Sequence, residues 1–264
     1  PPPMGGAASM YGQSGPMSRT VRDSALLLQI MAGHDPRDPT TLRETPPDFV
    51  AAVDQDIKGL RIGWSSDYGF AAVDSEVAEV TYKAAQVFSE LGCHVEDADL
   101  VLDQPYEAYG PLYELAAYAS YGQYVESYGD QMTDFAKDFI RWGSKVTATD
   151  LARSLGLIDR LKAQFANLFE KYDLLLSPTL AVPSVAVGSF PDEIAGKPVY
   201  PHRYFSFHPF TYPINAIGHA AASVPAGFSS DGMPIGLHIV GRRGGEETVI
   251  AASGAFERAR PWAQ

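Results

Sequence analysis

Six histidines, one cysteine and several early serines are the residues in this sequence best equipped for chemistry. His34, His94, His202, His208, His219 and His238 form no H-E-x-x-H or H-x-x-H pair, and a lone cysteine makes no C-x-x-C, so no metal-ligand spacing is present. His202 and His208 are close in sequence, but a Pro/Phe-rich loop frames a ligand set weakly. Cys93, between Leu91-Gly92 and Val95, reads as a small core residue rather than a nucleophile. No G-x-G-x-x-G follows a strand and no P-loop is present. Gly241-Arg242-Arg243-Gly244-Gly245 precedes a helix and could hold an anion, although starting the helix explains its glycines better. The G-x-S-x-G of a nucleophile elbow is missing. Gly12-Gln13-Ser14-Gly15 comes nearest, with no strand before it. A Ser-His-Asp triad is assembled by geometry, and nothing in the spacing nominates one. Neither a metal nor a cofactor is expected.

The 264 residues are enough to bury a substantial core, and 45% hydrophobic with 20% charged residues is ordinary for a soluble globular chain. The net charge of −12 disfavours phosphate backbones and anionic membrane surfaces, so neither nucleic acid nor a membrane is an expected partner. One cysteine allows no intrachain disulfide, nothing points to an oxidising compartment, and a cytoplasmic location is expected. No apolar run approaches bilayer-spanning length. The opening Pro1-Pro2-Pro3-Met4-Gly5-Gly6, a loop without an initiator Met, reads as the middle of something longer.

The elements that would position any site follow from periodicity. Residues 18 to 33 read as a helix with Thr20 and Asp23 at capping-box spacing, an apolar body that should be largely buried, and Gly33 in a left-handed C′ position. A rigid polar loop from His34 to Thr40 follows. Leu60 to Trp64 alternates as a strand. Val77, Val80, Ala84, Val87, Phe88 and Leu91 recur at helical spacing up to Gly92, and a short strand is expected near Val95. Strand–helix–strand order suggests α/β layers. Residues 105 to 145 are dense in tyrosine and loosely amphipathic, suited to a half-wet pocket wall or an interface, or more plainly to a surface helical layer whose rings cover the core. Residues 149 to 171 form a helix facing Leu151, Leu155, Ile158, Leu161, Phe165, Leu168 and Phe169 inward. Asp173 to Ser177 is a continuous apolar run, hence a fully buried strand ended by Pro178-Thr179. Ala181 to Arg203 is a long aperiodic loop. Two strand-like runs, Ala222 to Phe228 and Pro234 to Gly241, flank an Asp-Gly turn as a hairpin, and Gly245-Glu246-Glu247 opens a last helix.

Gly15-Pro16-Met17-Ser18-Arg19-Thr20-Val21-Arg22-Asp23-Ser24-Ala25, running on through Met31-Ala32-Gly33-His34-Asp35-Pro36-Arg37-Asp38-Pro39, is similar to the segment that follows the catalytic core in amidase-signature enzymes. Lys58 to Gly63 matches the strand placed next in that family, Tyr172 to Thr179 its later buried strand, Phe210 to Asn215 a pocket-side segment, Ser223 to Gly241 its terminal hairpin, and Pro261-Trp262 its ending. The blocks keep the family's order over nearly the whole chain.

The resemblance implies an α/β fold with a mixed β-sheet core flanked by helices, incomplete on its N-terminal side, residues 1–264 being the C-terminal portion of a single domain. It implies hydrolysis of carboxylic amides by a Ser-Ser-Lys triad, with the serines, the oxyanion donors and the lysine all upstream of this chain. Ser9, Ser14, Ser18 and Lys58 match loop, helix-start and turn positions, so no catalytic residue is assigned here. What this portion would supply is the wall of the substrate pocket: Pro178, Thr179, His208, Phe210, Thr211, Ile214, Asn215 and Ile217. A His-Pro at 208–209 stands where tRNA-dependent amidotransferase relatives tend to carry an acidic residue, which favours a general amidase. Expected partners are a small-molecule amide and the missing N-terminal portion, with a homodimer left open. Competing readings are a transamidase subunit of a tRNA-dependent amidotransferase and a non-catalytic binding or scaffold module. A portion of an enzyme should show an exposed apolar sheet face; a free-standing module should be closed.

Overall fold

The computed structural model describes residues 11–38, 40–189, 191–199 and 203–262. Ser9, Pro39 and His202 lie outside the described residues, as does the Pro1-to-Gly6 opening. Five strands form one mixed sheet in the order β2-β1-β3-β7-β6. Here β1 is Arg61–Trp64, β2 His94–Asp97, β3 Leu174–Pro178, β6 Ala221–Phe228 and β7 Pro234–Val240, while β4 (Glu193–Ile194) and β5 (Lys197–Pro198) make a separate small hairpin. β1 pairs in parallel with β2 and β3; β3 with β7 and β7 with β6 are antiparallel. The sheet class and all five of its strands therefore agree with the sequence reading.

Alternation of side chains along each strand divides the core in two. On one face Ile62, Trp64, Leu174, Leu176, Leu237 and Ile239 meet the helices α3 (Ser75–Glu90) and α10 (Glu246–Ala259), where Phe88 stacks on Phe256 at 5.6 Å between ring centroids. On the other face Leu175 and Val240 meet α7 (Ala148–Lys171) and α9 (Thr211–Ile217) through Leu161, Phe165, Ile214 and Ile217. Because both faces of β3 are covered, all five of its residues are buried. Arg61 and Asp173 lock the register of β1 against β3. The Asp173 carboxylate accepts from the Arg61 main-chain N–H at 2.9 Å and from its guanidinium at 2.8 Å, and Asp173 N–H donates to the Arg61 carbonyl at 2.7 Å.

The long helix α7 begins with the pattern that best explains its start. Thr147 Oγ1 accepts from Asp150 N–H at 3.1 Å, and the Asp150 carboxylate accepts from Thr147 N–H at 3.0 Å. Thr147→Ala should cost about 1 kcal/mol, read as a lowered urea midpoint at unchanged slope. Within α7, Leu155 is exposed and Leu157 takes its place inside, because Leu155 lies roughly a quarter turn from the centre of the buried face.

Helix α1 (Val21–Met31) departs from expectation. Thr20 caps it by accepting from Asp23 N–H, but the helix buries only Val21 and Ala25. Leu26, Leu27, Ile30 and Met31 are exposed on its outer side. Its inner face packs on α2 (Phe49–Ala52) and α10, and nothing among the described residues covers the outer one. Gly33 has φ +141°, a positive value outside the left-handed helical basin, and Ala32 ends the helix in an extended conformation. The tyrosine-dense stretch folds as α4 (Pro105–Tyr121), α5 (Val125–Tyr128) and α6 (Asp134–Gly143). The aperiodic loop after Ala181 holds the β4–β5 hairpin, and α8 (Arg203–Phe207) leads into α9.

Candidate active site

The parallel strands β1 and β3 end side by side, and in open α/β sheets ligands gather beyond such carboxyl ends. After β1 the chain turns at Ser65, whose hydroxyl accepts from Tyr68 N–H at 3.0 Å. Tyr68 is held at φ +51° and fully buried. Its ring meets Phe210 edge-on at 5.1 Å, and its hydroxyl lies 3.0 Å from Ser177 Oγ. Burial pushes the Tyr68 phenol well above its usual value, so it stays a neutral hydrogen-bonding group.

Pro178 is buried at the end of β3 and Thr179 is half-exposed just beyond it. Thr179 Oγ1 sits 2.7 Å from Ser223 Oγ of β6. Gly236 on β7 permits this approach, because a Cβ there would stand 2.6 Å from Ser223 Oγ and 2.8 Å from Thr179 Oγ1. The result is a pair of hydroxyls at the open end of the sheet, neither joined to a lysine among the described residues.

Phe210 at the N-cap of α9 and Ile214 and Ile217 within it are core residues, fully or almost fully buried, and Phe210 touches Tyr68 beside the strand ends. Thr211 Oγ1 donates to the His208 carbonyl at 3.3 Å. His208 Nδ1 lies 2.9 Å from the Tyr204 carbonyl, so Nδ1 carries the proton and Nε2 is left as an acceptor; burial holds its pKa below the usual histidine value. Asn215 hydrogen-bonds the Tyr109 hydroxyl, which also donates to the Tyr11 carbonyl at 3.3 Å. The eight candidate residues thus fall into a strand-end pair, Pro178 and Thr179, and an α9 group. Ser14 is exposed, Ser18 Oγ is occupied by the Thr20 carbonyl and Ser24, and Lys58 is exposed in its turn.

The tyrosine layer supplies an apolar cleft of about 270 Å³ between α4 and α6, lined by Tyr113, Tyr121, Met132, Phe135 and Phe139. Beside it Glu114 is buried, accepts from the Tyr106 hydroxyl at 2.9 Å and is pushed up to about 7 by desolvation. Such a carboxyl is half-ionised near neutrality, the condition a general acid or base needs. Cys93 is a buried thiol that donates to the Ile57 carbonyl and is raised to about 11 by burial.

Sequence reasoning missed Tyr68, Ser177, Ser223, Gly236 and His238 as neighbours. Tyr68 carries no local signal. Ser223, Gly236 and His238 could have been brought together by pairing outward from the Asp-Gly turn, which fixes the β6–β7 register up to one bulge at Ala226, whereas Ser177 joins them only through the long-range pairing of β3 with β7. Among the described residues no group of three or more His, Cys, Asp or Glu side chains converges to hold a metal, and no helix is long and apolar enough to cross a membrane.

Known proteins share this architecture. The family model described as Amidase matches residues 2–250. An acylamidase of Rhodococcus erythropolis is 32% identical over 96% of this chain and 53% of its own length. A glutamyl-tRNA(Gln) amidotransferase subunit of Geobacter metallireducens is 32% identical over 97% of this chain and 56% of its own. Among solved structures, a bacterial aryl acylamidase of the amidase-signature enzymes superimposes with a TM-score of 0.83 at 34% identity, covering 95% of this chain and 53% of that one. The chain spans about half the length of the curated relatives it matches.

Proposed function

Because the chain belongs to the amidase family, we propose that it supplies the pocket-wall portion of an enzyme that hydrolyses carboxylic amides to an acid and an amine or ammonia, with the Ser-Ser-Lys triad on a portion outside this chain. The observation that carries this reading is the open edge of β6. Among the described residues that strand pairs only with β7, and Ala221, Ser223 and Pro225 are exposed along it, as is the Phe228 ring at its end. A bare strand edge is a template for further pairing, and natural proteins cover it. A groove of about 320 Å³ lined by Val80, Val87, Phe228 and Phe256 runs beside the same edge. The portion that completes the relatives' length is the occupant we assign to it.

Amide carbonyls are weak electrophiles, so hydrolysis needs an activated nucleophile, a base and donors aimed at the oxyanion. In this reading those come from the other portion. The present chain closes the pocket with the Thr179–Ser223 hydroxyls at the strand ends and the aromatic layer of α4, α6 and α9 beyond them. An acyl or aryl amide fits such a wall, and the acylamidase relatives support that substrate class. A single, buried and hydrogen-bonded cysteine suits a cytoplasmic setting.

Mixing this chain with the polypeptide encoded immediately upstream tests the reading. Release of nitroaniline from an acylated nitroaniline is expected from the mixture and from neither part alone. Hydrolysis by this chain alone, or an inactive mixture, would overturn it. The amidotransferase relatives support a second reading at equal identity. It predicts amide transfer to glutamyl-tRNA in the presence of partner proteins, in place of anilide hydrolysis.

A further inference from the structure

Leu26, Leu27, Ile30 and Met31 of α1 are 52%, 42%, 75% and 55% exposed. At about 100° per residue they fall on one arc of roughly 140°, opposite Val21, Ala25, Leu28 and Ala32, which pack towards α2 and α10. Asp23, in the first turn, is the one polar residue of the helix on that arc. Apolar side chains scattered singly over a surface need no explanation, but four neighbours on one helix face mark a contact surface. Nor is the helix free to roll them inward, because polar ties hold both of its flanks. Arg22 pairs with Asp54 at 2.6 Å, Gln29 Oε1 accepts from Phe49 N–H at 2.7 Å, and Ser24 Oγ lies 2.7 Å from Ser18 Oγ.

Size and continuity choose the occupant. A helix of 11 residues is about 16 Å long and about 10 Å across, so one face of it offers on the order of 300 Å². A stable interface takes about 800 Å² from each partner. Two copies meeting on α1 alone would fall short, and the face must belong to a larger contact. Such a contact lies beside it. Phe256 and Arg260, at the end of α10, line the groove along the β6 edge, and Glu257 between them accepts from Val21 N–H at the start of α1. This chain covers 53% and 56% of its relatives' lengths, so the portion that completes them is nearly as large as the chain itself and can span both places. We propose that the outer face of α1 is a docking surface for that portion, which grips the chain at two places, the β6 edge and the Leu26-to-Met31 arc.

The proposal rests on the reading above, in which such a portion exists, and adds where its second contact lies. It accounts for the apolar composition of α1 on the side that this chain leaves uncovered. It also gives the helix the packing it lacks, since 11 residues are too few for stability on their own and only Val21 and Ala25 are buried here.

The test compares wild type with two double variants, Leu27→Gln with Ile30→Gln and Leu27→Met with Ile30→Leu, in calorimetric binding of the polypeptide encoded immediately upstream. Leu27 and Ile30 stand at the centre of the arc, and glutamine keeps helix propensity while removing the apolar surface. The glutamine variant should bind about a hundredfold more weakly, equivalent to about 2.8 kcal/mol. The Met/Leu variant conserves volume and apolar character and should bind as wild type does. Amide exchange across Val21–Met31 of the wild-type chain should slow on binding. The isolated glutamine variant should keep the wild-type urea midpoint, since both side chains already face water. Equal binding by wild type and the glutamine variant overturns the proposal and leaves the two-portion reading intact, with the β6 edge as the contact. A lowered urea midpoint of the isolated glutamine variant overturns it by making the arc part of this chain's own core. Self-association of the wild-type chain that the glutamine variant loses overturns it in favour of a second copy. Failure of the wild-type chain to bind the upstream polypeptide overturns both.

Discussion

Gly143→Ala is expected to destabilise the chain by about 3 kcal/mol, at the upper end of overpacking penalties. Gly143 is the last residue of α6, and it lies against the backbone of α4. A Cβ there would meet the Glu114 carbonyl oxygen at 1.9 Å, its carbonyl carbon at 2.5 Å and Tyr118 Cβ at 2.9 Å. The obstacle is helix backbone, which no rotamer change can move aside. The two helices must separate, and with them the aromatic contacts of Phe139 with Tyr113 and Phe205. In a chain of this size the loss corresponds to a fall in Tm of roughly 6–12 °C. Trp142, adjacent to the substitution and in edge contact with Phe139, provides a local fluorescence signal. Gly156→Ala on the outer side of α7 is the natural contrast. Nothing lies within 4 Å of its Cβ, so the gain in helix propensity should stabilise by about 1 kcal/mol. A Gly143→Ala chain as stable as wild type would show that α4 and α6 do not cross this closely.

Acidification should remove a comparable amount of stability through His238. Burial holds this imidazole at about 4, against an ordinary 6.5. In the unfolded chain the ring takes up a proton as pH falls through 6.5, while in the folded chain it refuses one until about 4. The unfolded state therefore binds more protons across that window, and stability falls between pH 6.5 and 4 and levels off below. The gap amounts to about 3 kcal/mol at 1.36 kcal/mol per pH unit. His208 and His219, also held below their usual values by burial, tilt the profile the same way. Glu114 tilts it oppositely. Its carboxyl is raised from 4.5 to about 7, so its contribution is complete below 4.5 and is lost as pH rises through 7. His238→Gln should flatten the decline on the acid side in urea titrations at stepped pH, and Glu114→Gln should steepen it. A profile unchanged by His238→Gln would mean that the ring takes up its proton at the same pH in the folded and the unfolded chain, so that burial does not hold it down.

These effects also mark where the sequence is legible and where it is not. The five sheet strands, α3, α7 and α10 follow from periodicity and from turn and cap residues, because each element buries one face against a partner within this chain. Helix α1 defied the same reasoning. Its all-round apolar composition signals burial, and composition does not say whether the covering surface lies inside these 264 residues. The segment Thr211–Ile217 carries a proline and no clear period, and its helix is set by packing on Leu175 and Val240. At the candidate site, Pro178 and Thr179 were accessible from the end of an apolar run. The Tyr68–Ser177 contact joins residues 109 positions apart, and His238 acquires its environment only through two strand registers. Long-range pairing of that kind leaves no local mark on the residues it joins.

The first and last helices of the chain are clasped together. Trp262 Nε1 donates to the Arg19 carbonyl at 3.0 Å, and Val21 N–H donates to the Glu257 carboxylate at 3.1 Å, so the last helix lies directly beneath the first. The clasp makes the first helix a dependant of the last: with its outer side uncovered, α1 is held to the body through α2 and α10 alone among the described elements. Trp262→Ala should therefore loosen Val21–Met31 before any other helix, read as faster amide exchange confined to that segment.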